Sequence, residues 1–231
     1  MPSKKNQKKG KQLPSHKVYD LIAESFDKKR SWPWQEVEEF IKSLPKTTLA
    51  LDLGSGNGRH TLRLLQKNIE TVALDLSYNI LQVALENQLT EKKGYLLGSI
   101  NATILDLPFK SQSFDTIIVI AVIHHLQSIR ERKTAVTEIT RILKPGGKLF
   151  VSCWQKTHPR FAKEDLRGQI QAGKQSIYVP WTLPSGEKIL RYYYLFEPEE
   201  FQHLFDSPEL IISNSKFSNH NLFLTITKKK A

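Results

Sequence analysis

Apolar residues recur along this chain with two alternating periods, and each period predicts its own kind of element. Positions 18, 19, 21, 22, 23 and 26 are apolar with polar residues between them, a helical stripe that predicts a short amphipathic helix over Val18–Phe26. Val37, Phe40, Ile41 and Leu44 repeat the stripe. This second helix is expected to start at Trp32-Pro33-Trp34, with Pro33 in its first turn, and to stop at Pro45. Short, dense apolar runs follow at Leu49–Leu53, Thr71–Leu76, within Tyr95–Ile104, at Phe114–Ala121 and at Lys148–Trp154. Runs of that kind suit parallel strands buried on both faces. Helical segments separate them: His60–Lys67, a helix capped by Ser77 and running through Asn87, and Arg130–Leu143, ended by a turn at Lys144-Pro-Gly-Gly147. Glu209–Phe217 and Asn221–Thr227, linked by the polar Ser218-Asn-His220, predict a final antiparallel hairpin.

Strands alternating with helices specify an α/β fold with a doubly wound sheet. Ligands of such sheets bind beyond the carboxyl ends of the strands, where Asp52, Asp75, Thr103 and Ala121 fall. The first of these ends reads Asp52-Leu-Gly54-Ser-Gly56-Asn-Gly58-Arg59. Glycines there let the backbone turn sharply and let a ligand lie against it. An acid at the next strand tip, Asp75, can accept both ribose hydroxyls of an adenosine. A dinucleotide pattern would need glycine at 59, where this chain has Arg59. An apolar strand, an acid and Gly-x-Gly-x-Gly is how many S-adenosylmethionine (SAM) methyltransferases open their cofactor site, so the spacing favours SAM over NAD. The plainer alternatives are a tight strand–helix turn with no ligand and a helix-capping role for Asp75. Residues 155–200, rich in aromatics and prolines, lie where a substrate lid would sit.

Composition changes this picture mainly at the ends. The 231 residues suit one domain. Of a net charge of +11, residues 1–17 carry six lysines and no acid, and Lys228 to Lys230 add three more. Residues 1–17 are therefore expected to be a disordered basic arm, with the folded domain spanning 18–227. Such an arm attracts polyanions, or merely solubilises. The single cysteine, Cys153, excludes an internal disulfide. No apolar run approaches the roughly 20 residues of a membrane span. With no signal-peptide core, the expected location is cytoplasmic, with the nucleus possible.

Several segments carry a closer resemblance. Gly54-Ser-Gly56-Asn-Gly58, Leu107-Pro-Phe109 with Ser113-Phe-Asp115, and Leu143-Lys-Pro-Gly-Gly147 resemble class I SAM-dependent methyltransferases. Tyr19-x-x-Ile22-Ala23-x-x-Phe26, Arg30, Pro33-Trp34, Ala121-Val-Ile-His124-His125 with Arg130-Glu-Arg132, Cys153-Trp154, Val179-Pro-Trp181 with Leu183-Pro184, and Arg191-Tyr192-Tyr193 narrow it. Together they resemble the tRNA wobble-uridine carboxymethyl methyltransferases, over roughly Val18 to Thr227. The resemblance implies a Rossmann-like seven-stranded sheet, SAM as cofactor, and methylation of the carboxylate of 5-carboxymethyluridine in tRNA. It also implies a small zinc-containing activator subunit that adds a strand to the sheet edge. A SAM methyltransferase acting on a small molecule, and a non-catalytic SAM-binding protein, are the competing readings.

On this reading Gly54 and Gly56 approach the methionine part of SAM, Asp52 faces its amino group directly or through water, and Asp75 clasps the ribose. Ala121 offers its carbonyl, Tyr19 closes over the cofactor, and Leu76, Thr103 and Ile104 complete the set. A carboxylate substrate is already ionised at neutral pH, so the chemistry needs a cation rather than a base. Arg30, Arg191 and His124 are the candidates, and Trp181, Tyr192 and Tyr193 are candidates to stack the base. Adjacent histidines make a poor metal pair, so no catalytic metal is expected. Two departures stand out: Thr103 replaces the usual acid five residues before Pro108, with Asp106 displaced, and Tyr194 replaces a histidine after Tyr192-Tyr193.

Overall fold

The computed structural model describes residues 10–30, 32–91, 96–156 and 175–230. A short N-terminal strand, β1 (Lys11–Gln12), leads into α1 (Ser15–Asp27) and α2 (Gln35–Ser43). The main sheet then builds through β2 (Leu49–Leu53), β3 (Glu70–Asp75), β4 (Leu96–Asn101), β5 (Phe114–Ile120) and β6 (Leu143–Trp154). The helices between are α3 (Arg59–Gln66), α4 (Tyr78–Glu91) and α5 (Ile129–Ile142). Next come β7 (Ser176–Thr182), β8 (Lys188–Tyr194), α6 (Pro198–His203), β9 (Leu210–Ser218) and β10 (Asn221–Lys228).

The strand order β4-β3-β2-β5-β6-β10-β9 is the seven-stranded sheet that the sequence implies. β2 to β6 are parallel, and the hairpin β9–β10 closes the edge antiparallel. Asn219 and His220 both take positive φ, which gives the hairpin a tight two-residue turn. β2 lies between β3 and β5, so the chain winds away from it in both directions and leaves a crevice at its carboxyl end. β5 runs through the middle with Ile117, Ile118 and Val119 wholly buried, and apolar clusters cover both faces of the sheet. No helix among the described residues is long and apolar enough to cross a membrane.

Four details depart from the sequence expectations. Order begins before residue 18: β1 pairs in parallel with β8, and α1 starts at Ser15. Backbone pairing holds a stretch whose polar composition reads as arm, while residues 1–9 lie outside the described ones. The second helix starts after Trp34, not at Trp32. Trp34 stays extended (ψ 140°) and donates its N–H to His60 Nε2 at 3.4 Å, so Pro33 precedes the helix. The Lys144-Pro-Gly-Gly147 segment is an irregularity inside β6: Leu143 pairs with Phe114 and Lys148 with Thr116, so the extra residues bulge out. Lys144 uses the bulge to reach Asp115 at 2.8 Å, and Asp115 also accepts from the Leu49 N–H at 2.9 Å, tying β5 to the start of β2.

The fourth departure concerns the lid. Residues 175–194 join β1 in a separate three-stranded sheet, β1-β8-β7, packed beside the main one, while 157–174 lie outside the described residues. Strand alternation divides β8 between two surroundings. Ile189, Arg191 and Tyr193 face α1 and the crevice, whereas Tyr192 and Tyr194 join the main core.

Candidate active site

A cavity of about 430 Å³ lies beyond the carboxyl ends of β2, β3 and β5, roofed by α1 and walled by β8. Its size falls within the roughly 300–1,000 Å³ of small-molecule sites. The glycine turn forms its floor. Gly54 (φ +77°) lets its own N–H and that of Ser55 reach the Leu74 carbonyl at 2.7 and 3.0 Å, pinning the turn to β3. A Cβ at Gly54 would stand 2.3 Å from the Val122 side chain. At Gly56 (φ +55°) a Cβ would meet nothing closer than Phe26 and Ile80, both cavity-lining, at 3.8 and 3.9 Å. That methyl group would occupy the cavity itself.

Asp75 reaches the cavity from the tip of β3. Its carboxylate accepts from the Gly56 and Ser77 amides, each at 2.9 Å, and burial pushes its pKa up while those amides pull it back. A carboxylate has about four acceptor positions, so two backbone bonds leave it able to bind vicinal hydroxyls. Leu76, exposed at the rim, and Thr103, Ile104 and Leu105 line the adjoining wall. Thr103 Oγ1 already accepts from the Leu105 N–H at 3.2 Å, and Asp106 lies outside the cavity. Ala121 lines it from the tip of β5 in the left-handed region, φ +59°, with its N–H on Ser152 Oγ at 3.1 Å. A non-glycine residue held there at a ligand-binding rim is stored strain.

Asp52 does not line the cavity, against expectation. It sits in register with Ala73, two residues short of the Asp75 tip, is fully buried, and accepts from the Thr61 hydroxyl at 2.6 Å. The acid braces the glycine turn against α3 from behind. Burial raises its pKa to about 7, with the Thr61 hydroxyl opposing and Asp75 adding to the rise. A folded-state pKa above the unfolded value of 3.8 means stability is full below about pH 4 and is lost as pH rises to about 7. Asp52→Asn, which still accepts from Thr61, is expected to remove that slope. Burial drives His125 the other way, to about 4, so the difference between melting curves of wild type and variant over pH 4–8 isolates Asp52.

The inner end of the cavity is aromatic and cationic. Tyr193 stacks on Trp154 (4.7 Å, 16°), with His124 and His125 at 5.1 and 4.6 Å from its ring. His124 is buried and takes the Trp154 N–H on Nδ1 at 3.3 Å, which leaves the ring proton on Nε2. Arg191 is 2% exposed, lies between the Trp181 and Tyr193 rings at 4.7 and 5.4 Å, and lines the cavity. Its Nε and Nη2 have no hydrogen-bond partner, and no carboxylate pairs with it among the described residues. A buried guanidinium without a counterion costs several kcal/mol, a cost that an anionic ligand offsets. Arg30 lines the outer mouth.

Two candidates for base stacking point elsewhere. Trp181 is buried beneath α1, with its indole N–H on Ser25 Oγ at 2.9 Å and Phe26 at 6.1 Å. Tyr192 faces the core, and its hydroxyl donates to the Gln127 carbonyl at 3.2 Å. Strand alternation turns Tyr192 away, whereas Trp181 shares the face of Ile189 and Arg191 and is covered by α1, so of the three aromatics only Tyr193 lines the cavity. Conversely, Arg59, Trp34 and His60 line it unforeseen. Arg59 lies over the Trp34 ring at 5.4 Å, and its pKa falls to about 10 through burial and the neighbouring Arg30. The signal for Arg59 was its place directly after the third glycine, at the first turn of α3.

Comparison with known proteins bears on the fold and the family. The methyltransferase domain family matches residues 51–151. A methyltransferase from Methanosarcina mazei described as SAM-dependent aligns with a TM-score of 0.68 at 19% identity, over 86% of this chain and 99% of that one. The CcbJ methyltransferase of Streptomyces caelestis aligns at 0.73 and 17%, over 95% and 100%. Identities that low speak for the fold alone. Closer in sequence is the tRNA (carboxymethyluridine(34)-5-O)-methyltransferase of Schizosaccharomyces pombe, 34% identical over 73% of this chain and 67% of that protein. The Saccharomyces cerevisiae protein of the same description is 30% identical over 74% and 57%. The chain spans only 24% of the length of the Xenopus tropicalis relative, at 32% identity. The narrow segments noted in the sequence and the matched length of the yeast relative converge: the chain belongs to the tRNA (carboxymethyluridine(34)-5-O)-methyltransferase family.

Proposed function

We propose that this chain binds SAM and transfers its methyl group to the carboxylate of 5-carboxymethyluridine at the wobble position of tRNA. The supporting observation is Arg191, a buried cation with unspent donors at the inner end of the cavity. An anion is the ligand that such a group calls for, and a carboxylate matches the guanidinium fork in two bonds. The names of the yeast relatives supply the substrate.

SAM fits the residues present. Asp75 would hold the ribose, Gly54 and Gly56 the methionine part, Leu76, Thr103 and Ile104 the adenine side, and the Ala121 carbonyl and Tyr19 the centre. Arg30 and Arg59 at the mouth suit the methionine carboxylate. When bound, SAM supplies an electrophilic methyl on a sulfonium. The chain then needs no base, because the substrate carboxylate is ionised already. Arg191 aligns that carboxylate, while Trp154, Tyr193 and the neutral His124 exclude water, and a dehydrated, aligned nucleophile can lower the barrier by several kcal/mol. Trp181 and Tyr192 support this wall rather than stack a base.

The reading extends to a small zinc-containing activator at a sheet edge, carried by the resemblance alone, and to a cytoplasmic or nuclear location. Incubation with SAM and tRNA bearing 5-carboxymethyluridine, with the activator added, should give the methyl ester nucleoside by mass spectrometry. Methylation of free metabolites with no tRNA dependence would overturn the substrate.

A further inference from the structure

The hydrogen bonds around His125 fix the direction of a proton that decides what the cavity can recognise. The Tyr192 carbonyl can only accept, so the 2.9 Å contact to His125 Nδ1 places the ring proton there. The half-buried ring is neutral, with its pKa driven down by desolvation, and Nε2 is left as an acceptor. The Tyr19 hydroxyl lies 2.9 Å from that Nε2 and must be the donor. Its single proton is spent, and only lone pairs remain for the cavity that Tyr19 lines. Burial keeps this phenol un-ionised, and beyond burial it feels first the Tyr193 hydroxyl and then Arg191 and Asp75, all of which line the same cavity.

We infer that His125 is a positioning residue that makes the Tyr19 oxygen a pure acceptor, and that this oxygen selects a cationic sulfonium over the neutral thioether left after transfer. The inference rests on SAM being the ligand. It gives a chemical reason for a tie that joins three separate elements, α1, the turn Ile123–His125 and β8. An acceptor dipole near Arg191 lowers the repulsion that a second positive charge would meet, and that benefit vanishes once the ligand loses its charge.

The test is calorimetric binding of SAM and of S-adenosylhomocysteine to the full chain, with no turnover involved. Tyr19→Phe is expected to weaken SAM by about 3- to 10-fold relative to the thioether, the scale of one polar contact. His125→Phe should shift the ratio of the two dissociation constants as much, and the double variant no further. His125→Gln, whose amide oxygen can accept from Tyr19, should hold the ratio within about twofold of wild type. Equal weakening of both ligands by Tyr19→Phe would reduce Tyr19 to a packing cover and overturn the inference. So would a ratio unmoved by His125→Phe. Wild type that binds neither ligand would remove the SAM reading itself, whereas binding of both with an unmoved ratio removes only this one.

Discussion

Arg191→Met is expected to abolish most of the activity while leaving the fold as stable as before or slightly more so. The guanidinium is buried, its Nε and Nη2 lack partners, and it lines the cavity. Removing the cation that pairs with a buried anion costs about 2–4 kcal/mol, roughly 30- to 1,000-fold in kcat/KM. In the free chain the balance is different. Desolvation of the ion costs several kcal/mol, while contacts with Trp181 and Tyr193 return about 1–2 kcal/mol each. Methionine keeps the packing and drops the charge, so Tm should stay level or rise by about 2–4 °C. Arg191→Lys, lacking the fork, should fall between. Ester formation on modified tRNA and thermal melts read both effects, and a methionine variant with wild-type kcat/KM would deny Arg191 any part in holding the substrate.

The two glycines of the turn should fail in different ways. Gly54→Ala combines a left-handed backbone with a Cβ at 2.3 Å from Val122. Strain of about 1–2 kcal/mol and overpacking of about 1–3 kcal/mol predict a Tm loss on the order of 10 °C. Adding Val122→Ala should recover the overpacking share only, so the double variant melts above the sum of the singles. Gly56→Ala meets only ordinary contacts, with Phe26 and Ile80, and bears the backbone strain alone. Its methyl group stands in the cavity, so SAM affinity should fall more than about tenfold with a modest Tm change. Melts and calorimetry side by side check the pair. A Gly56→Ala chain that binds SAM normally would show that the cofactor does not lie against that turn.

Most of the sheet was readable because buried parallel strands advertise themselves as apolar runs, and Asp75 because it ends one. Asp52 misled because its side chain belongs to the layer behind the tip, and one-dimensional spacing does not record which layer a residue occupies. Trp181 and Tyr192 misled for a related reason: aromatic density looks the same whether the rings face ligand or core. Only the pairing of β8 with β7 and β1 settles which of Arg191, Tyr192 and Tyr193 look inward. The β1 pairing itself was invisible, since two polar residues at an edge carry no periodic signal. The His125 tie required three elements distant in sequence to meet.

β8 answers to two masters at once. Its Arg191 and Tyr193 line the cavity, and the alternate residues, Tyr192 and Tyr194, are anchored in the main interior. Descendants of this chain could therefore change clientele through Arg191 and Tyr193 while the alternate residues hold the scaffold unchanged. A single ribbon with that division of duties is a natural place for divergence within a lineage to concentrate.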